Sequence, residues 1–485
     1  MRRLIISGIM LLWLGSLAAL LFHDPTRTPP PAVSLRPNDS PPGAEEWWGV
    51  YMQGHKVGFV RHSMVPTGTG LAFQEESVLH LTTLGEKQVV RTSAFGTLTT
   101  SFELENVELS LEAGPTRFTV QAAAHGNELW VTIESGGNNS RVTKIPLASK
   151  PSLPIGMRRA AMRAPLEAGR ITRGVVFDPL TRSNSTLTLT VQERQPLPAQ
   201  PDLQAWRIDE EWRDVKSVLW VDDQGRLLRE EGPMGLLAIR EDKAQATALA
   251  DSTWDAVDAV SIPVDPPIEE PRTRETLRVR ISGISLDRIP PGDGQSVEGN
   301  ELLIRRADLE SARSYTLPYA AGDHAQELAA TETLQADDPR ISKLTETILG
   351  DQRDALAATR LLLDWVYRYL KKIPTASLPN ALEILDTGQG DCNEHAVLFT
   401  ALARAAGIPA RVVSGTVYGA DAFLYHAWSE VWLGRWIAVD AALNQVPADA
   451  THIRLAVGDR DEHLMMMGII GSLRIEILRD DEQPT

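Results

Sequence analysis

The run Gly390-Asp391-Cys392-Asn393-Glu394-His395 holds the only cysteine among 485 residues. A lone thiol makes no intramolecular disulfide, which leaves three roles: a buried apolar filler, a metal ligand short of partners, or a nucleophile. After it, Val397, Leu398, Ala401, Leu402 and Ala405 recur at three- and four-residue spacing, one apolar face of a buried helix. Gly407 and Pro409 close that helix, and Asp391 with Glu394 three residues on reads as a capping box, so that Cys392 is the first helical residue. There the positive end of the helix dipole is expected to draw the thiol pKa below about 8.5.

A thiolate nucleophile needs a base, and the base needs a group that fixes its tautomer. Tyr425 to Leu433 and Trp436 to Asp440 read as two strands around a turn at Gly434-Arg435, carrying His426 and Asp440. Cross-strand partners share a face, and their residue numbers have a constant sum. A two-residue loop would put Asp440 opposite Ser429, on the wrong face. An odd loop, such as Leu433 to Arg435, puts it opposite Trp428 and diagonal to His426, roughly 7 to 8 Å away between backbones. A working triad therefore predicts an odd loop or a bulge.

The blocks G-D-C-x-E-H-A-x-L-F-x-A-L-x-R-A-x-G-I-P-A-R, H-A-W-x-E-V and W-x-x-V-D, in this order, resemble the bacterial transglutaminase-like proteins, relatives of the papain-like cysteine enzymes. The resemblance covers about the last 150 residues, beginning near Leu334-Gln335-Ala336-Asp337-Asp338-Pro339. It implies Cys392 as nucleophile, His426 as its base and Asp440 as the residue orienting that histidine, within an α+β, papain-like core. In many relatives Pro-Thr follows the aspartate, whereas here Ala441-Ala442 follows Asp440.

The rest of the chain divides by composition. Leu4 to Phe22 carries no charge and spans roughly 28 Å as a helix, enough for a bilayer core. Preceded by Arg2-Arg3, it reads as a transmembrane anchor or a signal sequence over 1–24, the anchor favoured by its length, with the bulk exported to a bacterial periplasm or cell surface. Residues 25–44 form a Pro-rich linker. Residues 45–260 alternate in short strand-like runs and read as an antiparallel β-rich domain, in which Asp209-Glu210-Glu211 reads as a solvated turn. Residues 261–330 read as a linker and small β segment, and 331–485 as the catalytic domain, with an amphipathic helix from Asp354 to Lys372 and a closing strand at Leu473 to Leu478.

A formal net charge of −16 argues against nucleic-acid binding. A structural zinc needs four ligands, commonly several of them thiolates, so neither metal nor cofactor is expected, and His395 is read as packing against its own helix. Two functional classes follow. In one, a cell-envelope enzyme attacks protein or peptide amides through a thioester, as a transferase, protease or amidase. In the other, the same fold is a non-catalytic binding or assembly module.

Overall fold

The computed structural model describes residues 45–478 apart from 84–85, 114–115, 136–140, 148, 179–182, 213–214, 250–254, 256–260, 287–288, 332, 374–379 and 459–471. The apolar run Leu4 to Phe22, the Pro-rich segment after it and the acidic C-terminal end lie outside the described residues. Among the described residues no helix is long and apolar enough to cross a membrane. The chain divides into two compact units, one within Trp13–Ala259 and one from Val260 onward.

The first unit is built on a fourteen-stranded antiparallel sheet running from Glu45–Met52 to Leu236–Glu241. Neighbours in the sheet are neighbours in sequence, except where the first strand pairs with the last and sets Trp48 opposite Arg240. Such a meander needs only tight turns between strands. At the first of these, Gln53 and Gly54 take positive φ of 48° and 85° between the paired residues Met52 and His55. That is a two-residue primed turn, which matches strand twist.

One helix, Pro154–Met162, crosses between the two ends of this sheet and packs Met157 and Ala161 onto Val176, Leu187 and Ile208. Its Arg158 is clamped by two buried carboxylates, Glu210 at 2.6 and 2.7 Å and Glu230 at 2.8 and 3.0 Å. Glu210 is therefore no solvated turn residue. It sits within the strand Gln200–Trp212, whose alternation turns it inward.

The second unit carries the cysteine helix, Cys392–Ala405. That helix packs against the strands Ala410–Gly419 and Ala422–Trp432 and against the helices Pro339–Leu349, Ala355–Tyr369 and Ala381–Thr387. The helix read from Asp354 starts with that residue as its cap, the side chain accepting from Ala357 N–H at 2.8 Å. It stops at Tyr369 because Lys371–Lys372 leaves as a short strand, parallel to Gln389–Gly390.

The central sheet runs Ile262–Pro263, Ala422–Trp432, Ala410–Gly419, Ile453–Val457, with Trp436–Val439 also on Ala422–Trp432. A second sheet joins Gln295–Glu298, Glu301–Arg305, Thr276–Ser282 and Arg474–Ile477, so the last described strand closes on residues nearly 200 positions earlier.

Candidate active site

The strands Ala422–Trp432 and Trp436–Val439 pair Trp432 with Trp436 and Ser429 with Val439, a constant sum of 868. Leu433, Gly434 and Arg435 form a three-residue loop, closed by Leu433 N–H on Arg435 C=O at 2.9 Å. This is an odd loop. The same sum sets Asp440 level with Trp428 and diagonal to His426, and the side chains close the gap: His426 Nε2 stands 2.7 Å from Asp440 Oδ2.

Both residues are buried, and Asp440 is fixed from two sides. Its Oδ1 accepts the backbone N–H groups of Ala442 at 2.7 Å and Leu443 at 3.0 Å. The Ala441-Ala442 departure from the Pro-Thr pattern thus leaves a backbone that still grips the carboxylate. Asp440 Oδ2 also faces His452 Nε2 at 3.1 Å. Burial works against the carboxylate, but His426 and His452 outweigh it and hold Asp440 well below the usual range.

His452 was not found by sequence reasoning. Asp440 and Gln445 exchange two backbone hydrogen bonds, folding the chain so that His452 returns to Asp440 twelve residues later. No periodicity or motif spacing announces such a loop. Burial opposes the charge on His452, yet Asp449 and Asp440 prevail and its pKa is pushed up to about 9. His426 Nε2, Asp440 Oδ2 and His452 Nε2 lie close enough together to be weighed as cation ligands. Their 2.7 and 3.1 Å separations are hydrogen-bond lengths.

Cys392 begins its helix, as the capping pattern predicts. Asp391 Oδ1 accepts Asn393 N–H at 3.0 Å, and Glu394 Oε2 accepts Asp391 N–H at 2.8 Å. Gly390 makes room for the returning Glu394, since a Cβ there would come within 2.2 Å of Glu394 Cβ. His395 packs against its own helix turn, its Nδ1 on the Asp391 carbonyl. Burial, with Lys372 and His426 adding to it, brings the His395 pKa down to about 4 against the pull of the Asp391 carbonyl and of Asp440.

The expected lowering of the thiol pKa does not hold. Burial first, and then the carboxylates of Asp391, Glu394 and Asp440, push the Cys392 thiol well above its ordinary value. The cap that defines the helix start places two negative charges against the sulfur, cancelling the benefit of the dipole. One neighbour favours the anion: the backbone N–H of Ala427, the residue after His426, faces the sulfur and pulls the thiol pKa down. The thiol thus lies against the backbone that carries the imidazole. His426 Nδ1, the ring nitrogen that Asp440 leaves over, is buried with no hydrogen-bond partner among the described residues. Ser429 ties the two elements together, its Oγ 2.9 Å from Thr400 Oγ1 on the cysteine helix.

Of the tryptophans on these two strands, Trp428 is buried, its ring stacked 6.2 Å from that of His426. Trp432 and Trp436 are half-buried and meet edge to face at 5.5 Å. Lys372 is a further charged neighbour that sequence reasoning passed over. Burial lowers its pKa while Asp440 raises it, and its ammonium lies 4.1 Å from the Tyr367 ring centroid.

The transglutaminase-like superfamily model matches residues 342–441, a span that includes Cys392, His426 and Asp440. Similar solved structures include a proposed cysteine protease from Cytophaga hutchinsonii, 18% identical over 44% of this chain and 89% of that one, with a TM-score of 0.30. Another is a β-barrel-like protein of a domain of unknown function from Brucella abortus, 9% identical over 41% and 97%, with a TM-score of 0.31. Structural likenesses this loose assign nothing to the chain. Among curated proteins no similar sequence is found. The family match falls on the unit that holds the buried His426–Asp440 pair and the capped cysteine helix: the C-terminal domain of this chain is transglutaminase-like.

Proposed function

We propose that this protein is a cysteine-dependent enzyme of the cell envelope that cleaves or transfers protein or peptide amides through a thioester, with Cys392, His426 and Asp440 as its triad. The observation that carries the reading is the state of His426: one ring nitrogen is held by Asp440 at 2.7 Å, and the other is buried without a partner beside the strand backbone that touches the sulfur.

The raised thiol pKa shapes the mechanism. An isolated thiolate is disfavoured here, so the anion forms as an ion pair, its proton passing to His426 Nδ1 while Asp440 stabilises the imidazolium. The sulfur adds to a carboxamide carbonyl, and the carbonyl oxygen becomes an oxyanion met by the Cys392 backbone N–H. Collapse breaks the C–N bond, and His426 returns its proton to the departing ammonia or amine. The acyl group remains on sulfur as a thioester. An amine then gives transamidation and water gives hydrolysis, His426 taking the nucleophile's proton in either case.

In this reading Leu4 to Phe22 tethers the chain and the β-rich unit offers surface to an envelope substrate. The deep burial of the sulfur, 5% exposed for the residue, favours a second reading as a binding module on the same fold. One experiment separates them. The full chain and its Cys392→Ala variant are incubated with envelope extract, scoring ammonia release, amine incorporation and new peptide ends. The enzyme reading requires at least one of these from the parent and none from the variant. If parent and variant give the same result and iodoacetamide reaches Cys392 only in denaturant, the binding module stands instead.

A further inference from the structure

Between the helix Pro154–Met162 and the large sheet of the first unit lies a cavity of about 140 Å³. Its wall runs from Glu46 to Ala238 in sequence, so the space belongs to this unit alone. Residues of two separate apolar clusters line it: Phe73, Val107, Leu109 and Phe177 belong to one, and Trp212, joined by Leu227, to the other. Protein interiors hold few voids larger than a water molecule, and a lining with no atoms opposite it forfeits dispersion contacts. A space of this size between two clusters that an apolar filler would join is a built feature of the unit.

Charge holds the helix over it. Ile155, Arg158, Arg159 and Met162 recur at three- and four-residue spacing and all line the cavity, so one helix face turns toward it. On that face Arg158 is bound by Glu210 and Glu230, and Arg159 by Glu46 at 2.7 Å. These bonds tie the helix to three strands, Glu45–Met52, Gln200–Trp212 and Leu227–Glu231, and set its height above the sheet.

The same pairs decide what the cavity accepts. The titratable residues of the wall are matched among themselves: Glu46 with Arg159, Glu230 with Arg158 at 2.8 Å, and Glu75 with His62 at 3.3 Å. A charged occupant would break one of these pairs or sit unpaired beside apolar groups, whereas an uncharged one meets aliphatic and aromatic surface. An apolar cavity of about 150 Å³ takes up benzene.

We propose that the cavity of the first unit binds an uncharged apolar group of about six carbons. That group is either a small ring or the end of an alkyl chain.

The test uses the full chain. Calorimetry at constant ionic strength compares benzene, 1-hexanol, hexanoate and hexylammonium. Benzene, 1-hexanol or both are expected to bind, with each charged probe weaker than the better neutral one by about tenfold or more. The tighter of the two neutral probes tells a ring from a chain end. Ala94→Leu and Ala238→Leu place bulk at two buried positions of the wall, and they also report any uptake elsewhere on the chain. Each is checked for parental circular dichroism and is expected to weaken the neutral probe about fivefold or more. Where both misfold, Val107→Ala, which widens the cavity, is expected to raise the preference for 1-octanol over 1-hexanol about threefold or more. Binding of neither neutral probe at about 10 mM, a charged probe that binds as tightly, or affinities left unchanged by every folded variant overturns the proposal.

Discussion

At the scale of single residues, Asp440 is shared. It orients His426 on one side and faces His452 on the other, so His452 is a positioning residue for the proposed triad. Its raised pKa gives this a sign. A histidine held near 9 when folded and near 6.5 when unfolded contributes stability that is fully present below about pH 6.5 and is lost as pH rises through about 9. His395 works the opposite way. With a folded pKa of about 4, it costs stability as pH falls below 6.5, because the unfolded chain takes a proton that the folded chain refuses. The difference between the parent and His452→Gln isolates the first effect. We expect the variant to lose on the order of 3 kcal/mol at pH 6 and clearly less at pH 9.5, by urea unfolding. A gap that does not change with pH would mean that His452 is held neutral. His452→Ala is expected to lower the rate of amide turnover, while His452→Gln, whose amide still reaches Asp440 from the place of Nε2, restores part of it. A merely structural histidine would show no such rescue.

At the scale of elements, the hairpin loop is the decisive joint. Three residues, Leu433 to Arg435, keep Asp440 on the face of His426. Removing Gly434 while a three-residue loop is kept draws Trp436 into the loop, shifts the second strand by one and sends Asp440 to the side of Ser429. The deletion is expected to cost about 10³-fold or more in amide turnover, comparable to mispositioning a triad aspartate, with the cysteine helix still formed by circular dichroism. Turnover near the parental level would mean that the loop has shortened to Leu433 and Arg435, leaving Trp432 opposite Trp436. This much was legible in advance, because strand alternation is strict and His426 and Asp440 fix the parity of the loop between them. The cysteine helix was legible too, since its cap is written in consecutive residues. The thiol pKa was misread for the same reason: the pattern that announces the cap, Asp391 and Glu394, also supplies the charge that opposes the thiolate. The clamp on Arg158 stayed hidden because it joins segments distant in sequence inside a core, and His452 because an irregular loop brings it back to Asp440.

At the scale of the whole molecule, each unit carries its own buried polar centre, and the one in the first unit predicts how that unit fails. Arg158 holds Glu210 and Glu230 at hydrogen-bond distance across the sheet. Burial, together with Glu210 and against the pull of Arg158, already raises the Glu230 carboxyl. Arg158→Met would leave two buried carboxylates facing each other, a loss of about 3–5 kcal/mol. The raised pKa sets the direction with pH. Once Arg158 is gone, acid supplies protons that neutralise the stranded pair, so the deficit relative to the parent should shrink as pH falls toward 5 and be largest above 7. Hydrogen exchange on the full chain reads this unit by unit. Amides of Gln200–Trp212 should lose protection in the variant, while those of Cys392–Ala405 keep theirs, since the apolar clusters around Arg158 draw only on residues of the first unit. Equal loss in both segments would mean that the two units unfold as one.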